Sequence, residues 1–258
     1  MSRLEVRKTY KLWIGGAFVR SESGRYDKAG ATNIPRGSRK DVRDAVAAAR
    51  KAATPWAQRT AYNRGQILYR AAEALESDAQ RFDRAEVEAA TDLLIHYAGW
   101  TDKLHAVLGG VNPVAAPFLS FSVPEPTGVV GIVAPDEPAL LGLMTSLAPA
   151  LAAGNTVVAI LSQAEPLPGL DLAEVLGVAD LPAGVVNLLS GRRDELAPAL
   201  AAHRDVNAIV DAAGVGAELD KLGAETIKRV RHWDGSESPL ARLEALTELK
   251  TAWHPVGA

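Results

Sequence analysis

The chain has 258 residues, 48% hydrophobic and 23% charged, an ordinary globular composition with enough length to bury a sizeable core. Its net charge of -3 favours neither nucleic acid nor an anionic membrane surface as a partner. It has no cysteine, which excludes disulfides, thiolate metal sites and a cysteine nucleophile.

The opening residues, MSRLEVRKTYKLW, lack the apolar centre of a signal peptide, and the expected compartment is the cytoplasm. Residues 11–14 and 17–19 alternate as two short strands around a Gly15-Gly16 turn. A helix is expected over 40–53, with Val42, Ala45, Val46 and Ala49 on one face. A second is expected over 63–77, with Ile67, Leu68, Ala71 and Leu75 inward, and a third over 92–108. Together they form a helical layer.

After Pro113 the pattern changes. Residues 118–123, from Phe118 to Val123, are strand-like and are followed by Pro124 and Pro126. Strands are then expected over 128–133, 156–161, 184–189, 206–210 and 227–231. Helices over 139–153, 170–176, 194–203 and 215–223 alternate with them. The charge-free run 139–164 reads as a buried helix and a buried strand, with Pro149, Gly154 and Asn155 interrupting it, rather than as a membrane span. Continuous apolar strands alternating with helices imply a parallel sheet covered on both faces. The fold class is therefore α/β, a Rossmann-like, doubly wound sheet beneath an N-terminal helical layer. Near the end, residues 247–253, from Thr247 to Trp253, alternate as an exposed strand. Three regions follow: 1–123 for the hairpin, the helical layer and the start of an arm, 124–235 for the nucleotide-type core, and 236–258 for a linker and the last strand.

No G-x-G-x-x-G motif is present. Gly191-Arg192-Arg193 and Gly214-Val-Gly216 read as ordinary turns, and the two arginines as a solvated helix start that could also attract an anion. The five histidines lack metal-ligand spacing, and Asp136-Glu137 reads as a solvated loop.

Several segments together resemble the aldehyde dehydrogenase superfamily. They are Trp13-Ile-Gly-Gly-Ala-Phe-Val19, the helix opened by Asp41, Tyr97-Ala-Gly-Trp-Thr-Asp-Lys-Leu104 and Pro124-Glu-Pro-Thr-Gly-Val-Val-Gly-Ile-Val-Ala-Pro135. Leu147-Ala-Pro-Ala-Leu-Ala-Ala-Gly-Asn-Thr-Val-Val158 and Leu181-Pro-Ala-Gly-Val-Val-Asn187 follow in order. The departures are as informative. The family's catalytic cysteine has no counterpart. Glu137 falls where the family's Pro-Trp-Asn-Phe-Pro places an oxyanion-binding Asn, and a carboxylate there repels the oxyanion. Trp233 falls at the general-base Glu and cannot accept a proton. In place of the ribose-gripping Lys-Pro-Ser-Glu stands Ile160-Leu161-Ser162-Gln163. Gly191 matches the first glycine of the next loop, while Arg193 replaces the second and Ala197 the third. Asp211 adds negative charge near the expected pyrophosphate.

The resemblance thus implies no catalytic residue and a vestigial cofactor set of Ala134, Pro135, Ser162 and Gly191. No cofactor is expected, with weak NAD(P) binding as the alternative. Thr247-Glu-Leu-Lys-Thr-Ala-Trp253 resembles the family's oligomerisation strand, yet arrives only a dozen residues after Gly235, where the family inserts its catalytic domain. The implied protein is a pseudoenzyme subunit. Its strands 118–123 and 247–253 would pair with a full-length aldehyde dehydrogenase. The alternative is an oxidoreductase component that retains some NAD(P) binding.

Overall fold

The structure, a computed structural model, describes residues 8–115 and 117–256. The reading of residues 1–7 as free of an apolar leader falls outside them. Strands β1 (Leu12–Ile14) and β2 (Ala17–Val19) form the expected hairpin, with Gly15 and Gly16 at φ 63° and 78° in the turn. A second hairpin, β3 (Tyr26–Ala29) and β4 (Thr32–Pro35), was not expected; its strands are short and mostly polar.

Helix α1 (Arg39–Ala57) opens with a capping box between Ser38 and Asp41 and buries Val42, Ala45, Val46 and Ala49. Helix α2 (Ala61–Ser77) is capped by the Thr60 hydroxyl and buries Ile67, Leu68, Ala71 and Leu75. The single helix expected over 92–108 is two. Helix α3 (Arg84–Ala98) starts earlier under an Asp83 cap and ends at Gly99, and α4 (Leu104–Leu108) follows a turn. The start of α3 carries a signal that the expected boundary passed over: Asp83 caps it three residues before Glu86, and Val87, Ala90, Leu94 and Tyr97 recur on one buried face.

Strands β5 (Gly110–Asn112) and β6 (Phe118–Pro126) precede the central β7 (Val129–Val133). Strand β6 continues through Pro124 and Pro126, three residues beyond the expected end at Val123. Strand β5 pairs β6 only along 120–122, so at the two prolines that side of β6 is an edge, where no ladder donor is required. Helix α5 (Ala139–Ala152) also continues through Pro149. Burial of Leu143, Met144, Leu147 and Leu151 outweighs the cost of a mid-helix proline, about 3 kcal/mol. The first amides of α5 receive no cap from their own segment. Glu86 on α3 supplies one: its Oε2 accepts from Leu140 N and Leu141 N, both at 2.8 Å.

The remaining elements alternate: β8 (Thr156–Ile160), α6 (Leu167–Val178), β9 (Val186–Leu189), α7 (Arg193–Ala202), β10 (Ala208–Asp211), α8 (Ala217–Ala224) and β11 (Arg229–His232). Strand β11 starts two residues later than expected because Ile227 turns at φ 56° and is 94% exposed. Helix α9 (Pro239–Ala245), also unexpected, and β12 (Thr247–Pro255) complete the described chain.

The main sheet runs β11-β10-β7-β8-β9-β1-β2. Strands β7 to β11 pair in parallel, and the N-terminal hairpin extends the sheet antiparallel through β1 on β9. Ile132, Val157 and Ala159 face the core shared with α2, α3, α5 and α6, whereas Val133, Val158 and Ile160 face the core under α1 and α7. Period-two alternation between two apolar layers explains why these strands read as unbroken hydrophobic runs. The fold is the expected doubly wound, Rossmann-like one.

The arm is a separate antiparallel sheet, β12-β6-β5, with β12 and β6 paired over nine positions from Thr247↔Pro126 to Pro255↔Phe118. Its root is tied to the core by the fully buried Asn155. The Asn155 amide nitrogen donates to Ala150 O and Leu246 O, and its oxygen accepts from Gly128 N.

Candidate active-site edge

In a doubly wound sheet, ligands bind beyond the C-terminal strand ends, where the winding direction reverses. Here β7 leads to β8 and β9 on one side and to β10 on the other, so the reversal lies between β7 and β10. The loops after β7, β8, β9 and β10 converge there.

On the β8–β9 side, two side chains read as solvated meet each other. Arg193, in the first turn of α7, makes a bidentate ion pair with Asp136. Its Nη2 is 2.8 Å from Oδ1 and its Nη1 is 3.1 Å from Oδ2. Arg193 Nη2 also donates to Ala134 O at 3.2 Å. Asp136 Oδ1 accepts from the amides of Gln163 (2.9 Å) and Ala164 (3.2 Å). The buried Ser162 hydroxyl lies 3.1 Å from Asp136 O, and Glu165 N donates to it. Partial burial opposes ionisation of Asp136, but the Arg193 guanidinium and the two amides outweigh it and hold the carboxyl below its usual range. The backbone amide of Arg193 donates to Gln163 Oε1 at 2.8 Å.

On the β10 side, Asp211 lies at the strand end with its side chain buried. Its carboxylate accepts from Ala213 N, Val215 N and Gly216 N at 3.2, 3.1 and 2.8 Å. His232 at the end of β11 bridges Asp211 Oδ2 and Asp220 Oδ1, both at 3.0 Å. The Asp220 contact raises the His232 pKa most; burial opposes it and Asp211 adds to it.

Between these sides lies a crevice of about 300 Å³ lined by Pro135, Glu137, Gly142, Trp233 and the buried Arg242. The Arg242 guanidinium sits 5.7 Å from the Trp233 ring centroid. A Cβ on Gly142 would come within 2.4 Å of the Pro135 ring, so the close packing of α5 on this loop requires glycine.

The structure therefore brings Glu137 and Trp233 to one crevice. Of the expected cofactor set, Ala134 and Ser162 surround the Asp136–Arg193 pair, and Pro135 lines the crevice. Gly191, at φ 147°, packs 3.0 Å from Gly37 N through the position a Cβ would take, which gives it a structural reason to be glycine. Sequence reading missed the Asp136–Arg193 pair and Arg242. The signal for the first was present: an acid and a base had replaced uncharged positions in two loops that converge. Among the described residues no cluster of three His, Asp or Glu can hold a metal, and no helix is long and apolar enough to cross a membrane.

These residues do not fit a dinucleotide's phosphates. The amides and the guanidinium that would receive them are already bonded to the chain's own carboxylates and carboxamide.

The fold and its strand-end site define a nucleotide-fold domain carrying a β arm. The aldehyde dehydrogenase family model matches residues 23–250, and the chain belongs to that family. An aldehyde dehydrogenase of Emericella nidulans is 33% identical over 187 residues, 64% of this chain and 37% of that protein. The mitochondrial aldehyde dehydrogenase of Rattus norvegicus is 34% identical over 161 residues, 55% of this chain and 30% of that protein. The NAD+ complex of an aldehyde dehydrogenase from Bacillus cereus superposes with a TM-score of 0.81 at 26% identity, covering 87% of this chain and 50% of that one. PnpE from Pseudomonas sp. WBC-3 matches equally well at 30% identity, again over 87% of this chain and 50% of that one. The chain spans about a third of the length of these curated relatives and half that of the solved chains.

Proposed function

We propose that this chain is a non-catalytic subunit that binds and stabilises or regulates a full-length aldehyde dehydrogenase. One observation carries the reading. Glu137 and Trp233 share the crevice at the reversal point, at the places the family resemblance gives to an oxyanion donor and a general base. Neither can serve there, because a carboxylate repels a developing oxyanion and an indole accepts no proton. The chain has no cysteine to attack a carbonyl carbon.

The arm supports the partnership. Among the described residues β12 lies at the edge of its sheet, with Leu249 60% and Trp253 59% exposed. Such an edge offers unpaired backbone groups to another strand. The connection from β11 to β12 holds only the short α9, so this stretch builds no catalytic sheet for a twin's arm to join. A full-length relative supplies that sheet.

Co-expression with a full-length aldehyde dehydrogenase of the same genome, followed by size exclusion, tests the reading. Co-elution is expected, together with no NAD+-dependent aldehyde turnover by the isolated chain. Separate elution at micromolar concentration, or turnover without a companion, overturns it. The second reading, residual NAD(P) binding, draws on a cleft of about 600 Å³ beside α7 lined by Gln163, Arg192, Arg193, Pro198 and Val215. Calorimetry with NAD+ and NADP+ separates the two.

A further inference from the structure

We propose that Asp136 and Arg193 form an internal plug. The carboxylate occupies the seat a dinucleotide's phosphates need and thereby closes the cofactor edge from within. The inference rests on the cofactor-free reading above and supplies its physical cause.

Phosphates bind where backbone amides at a helix N-terminus and a nearby cation converge. This edge has that constellation: the first amide of α7, the amides after β8 and the Arg193 guanidinium. Each is committed to an internal oxygen. Asp136 takes the guanidinium in both arms and the amides of Gln163 and Ala164. Gln163 Oε1 takes the Arg193 amide. A carboxylate that receives two guanidinium nitrogens and two backbone amides makes the contacts a bound phosphate makes. The anion is part of the chain.

Two consequences separate this plug from simple erosion of a site. An incoming phosphate must break the bidentate pair, and it then faces the like charge of Asp136. Room is not what excludes it, since a cleft of about 600 Å³ persists on the far side of Arg193, with Pro198 and Val215 as apolar walls. The β10 side is closed in the same manner, with Asp211 consuming the amides of residues 213, 215 and 216. The shut edge is thus a property of a few replaceable side chains.

The test is calorimetric titration of the whole chain with ADP, which carries the adenosine and the two phosphates alone. Wild type is expected to give no heat. Asp136→Asn keeps an acceptor for the Gln163 and Ala164 amides, removes the like charge and frees Arg193. It should bind ADP at least about tenfold more tightly than wild type, the change expected from one charge beside a phosphate. That binding should weaken as salt is raised. Arg193→Gly leaves the Asp136 carboxylate in the seat, still holding the Gln163 and Ala164 amides and now unpaired, and should stay silent toward ADP. If Arg193→Gly does not fold, Asp136→Asn carries the test alone. A folded Asp136→Asn variant that stays silent toward ADP overturns the plug and leaves the cofactor-free reading standing. Wild type binding ADP as well as the variants overturns both.

Discussion

The parallel sheet and the arm are built on opposite principles. Every residue of β7, β8, β9 and β10 is buried. In β12 only Thr247 is buried, and from Leu249 onward every residue is exposed. The sheet is accounted for by the chain's own packing. The arm differs: its hydrogen bonds to β6 and an edge-on contact of Trp253 with Phe118 hold its shape, while Leu249 and the outer edge face outward. Leu249 and Trp253 leave apolar surface exposed along the ribbon, which is the surface the proposed partner would cover.

Mutation sharpens the contrast. The largest effect is expected for Leu147→Ala, a fully buried side chain of α5, which should cost about 3 kcal/mol in urea denaturation. Glu86→Ala leaves two α5 amides without their acceptor and should cost about 2 kcal/mol by the same measurement.

A smaller effect belongs to His232. Its folded pKa is raised, so its contribution is complete below the unfolded value near 6.5 and is lost as pH rises through the folded value. Asp136 and Asp211 act in the opposite direction. Their folded values are depressed, so their contribution holds above the unfolded value near 3.8 and fades as pH falls through the folded ones. An NMR titration should place His232 above 6.5, and Asp220→Asn should move it down. A His232 midpoint at or below the free value contradicts the bridge.

Smallest in stability is Leu249→Ala on the arm, expected to change unfolding by less than about 0.5 kcal/mol. The same substitution should reduce co-elution with a full-length partner. If Leu249→Ala proves as costly as Leu147→Ala in the isolated chain, the contrast between sheet and arm disappears.

The sheet was legible because burial on two faces writes itself as continuous runs such as Val-Val-Gly-Ile-Val. The arm strands were legible as alternation and as resemblance. Three kinds of feature were not. The β3–β4 hairpin lies in polar sequence, where no periodicity marks an element, whereas the start of α3 had a cap at Asp83 and an apolar stripe from Val87 that were passed over. Helix α9 had a local signal, Ser238 before Pro239, a cap followed by proline in the first turn, that a pattern of apolar faces passes over. The Asp136–Arg193 pair joins residues 57 apart in sequence, and only the winding of the sheet brings their loops together. The identities of Glu137 and Trp233 were legible, but their sharing one crevice with Arg242 was not.

Asn155 gives the arm a mechanical meaning. One buried carboxamide grips the amide just ahead of the central strand, the last turn of α5 and the carbonyl at the foot of the protruding ribbon. A ribbon held at such a point takes its bearing from the layer it leaves, because its foot and the start of β7 share one buried, hydrogen-bonded side chain.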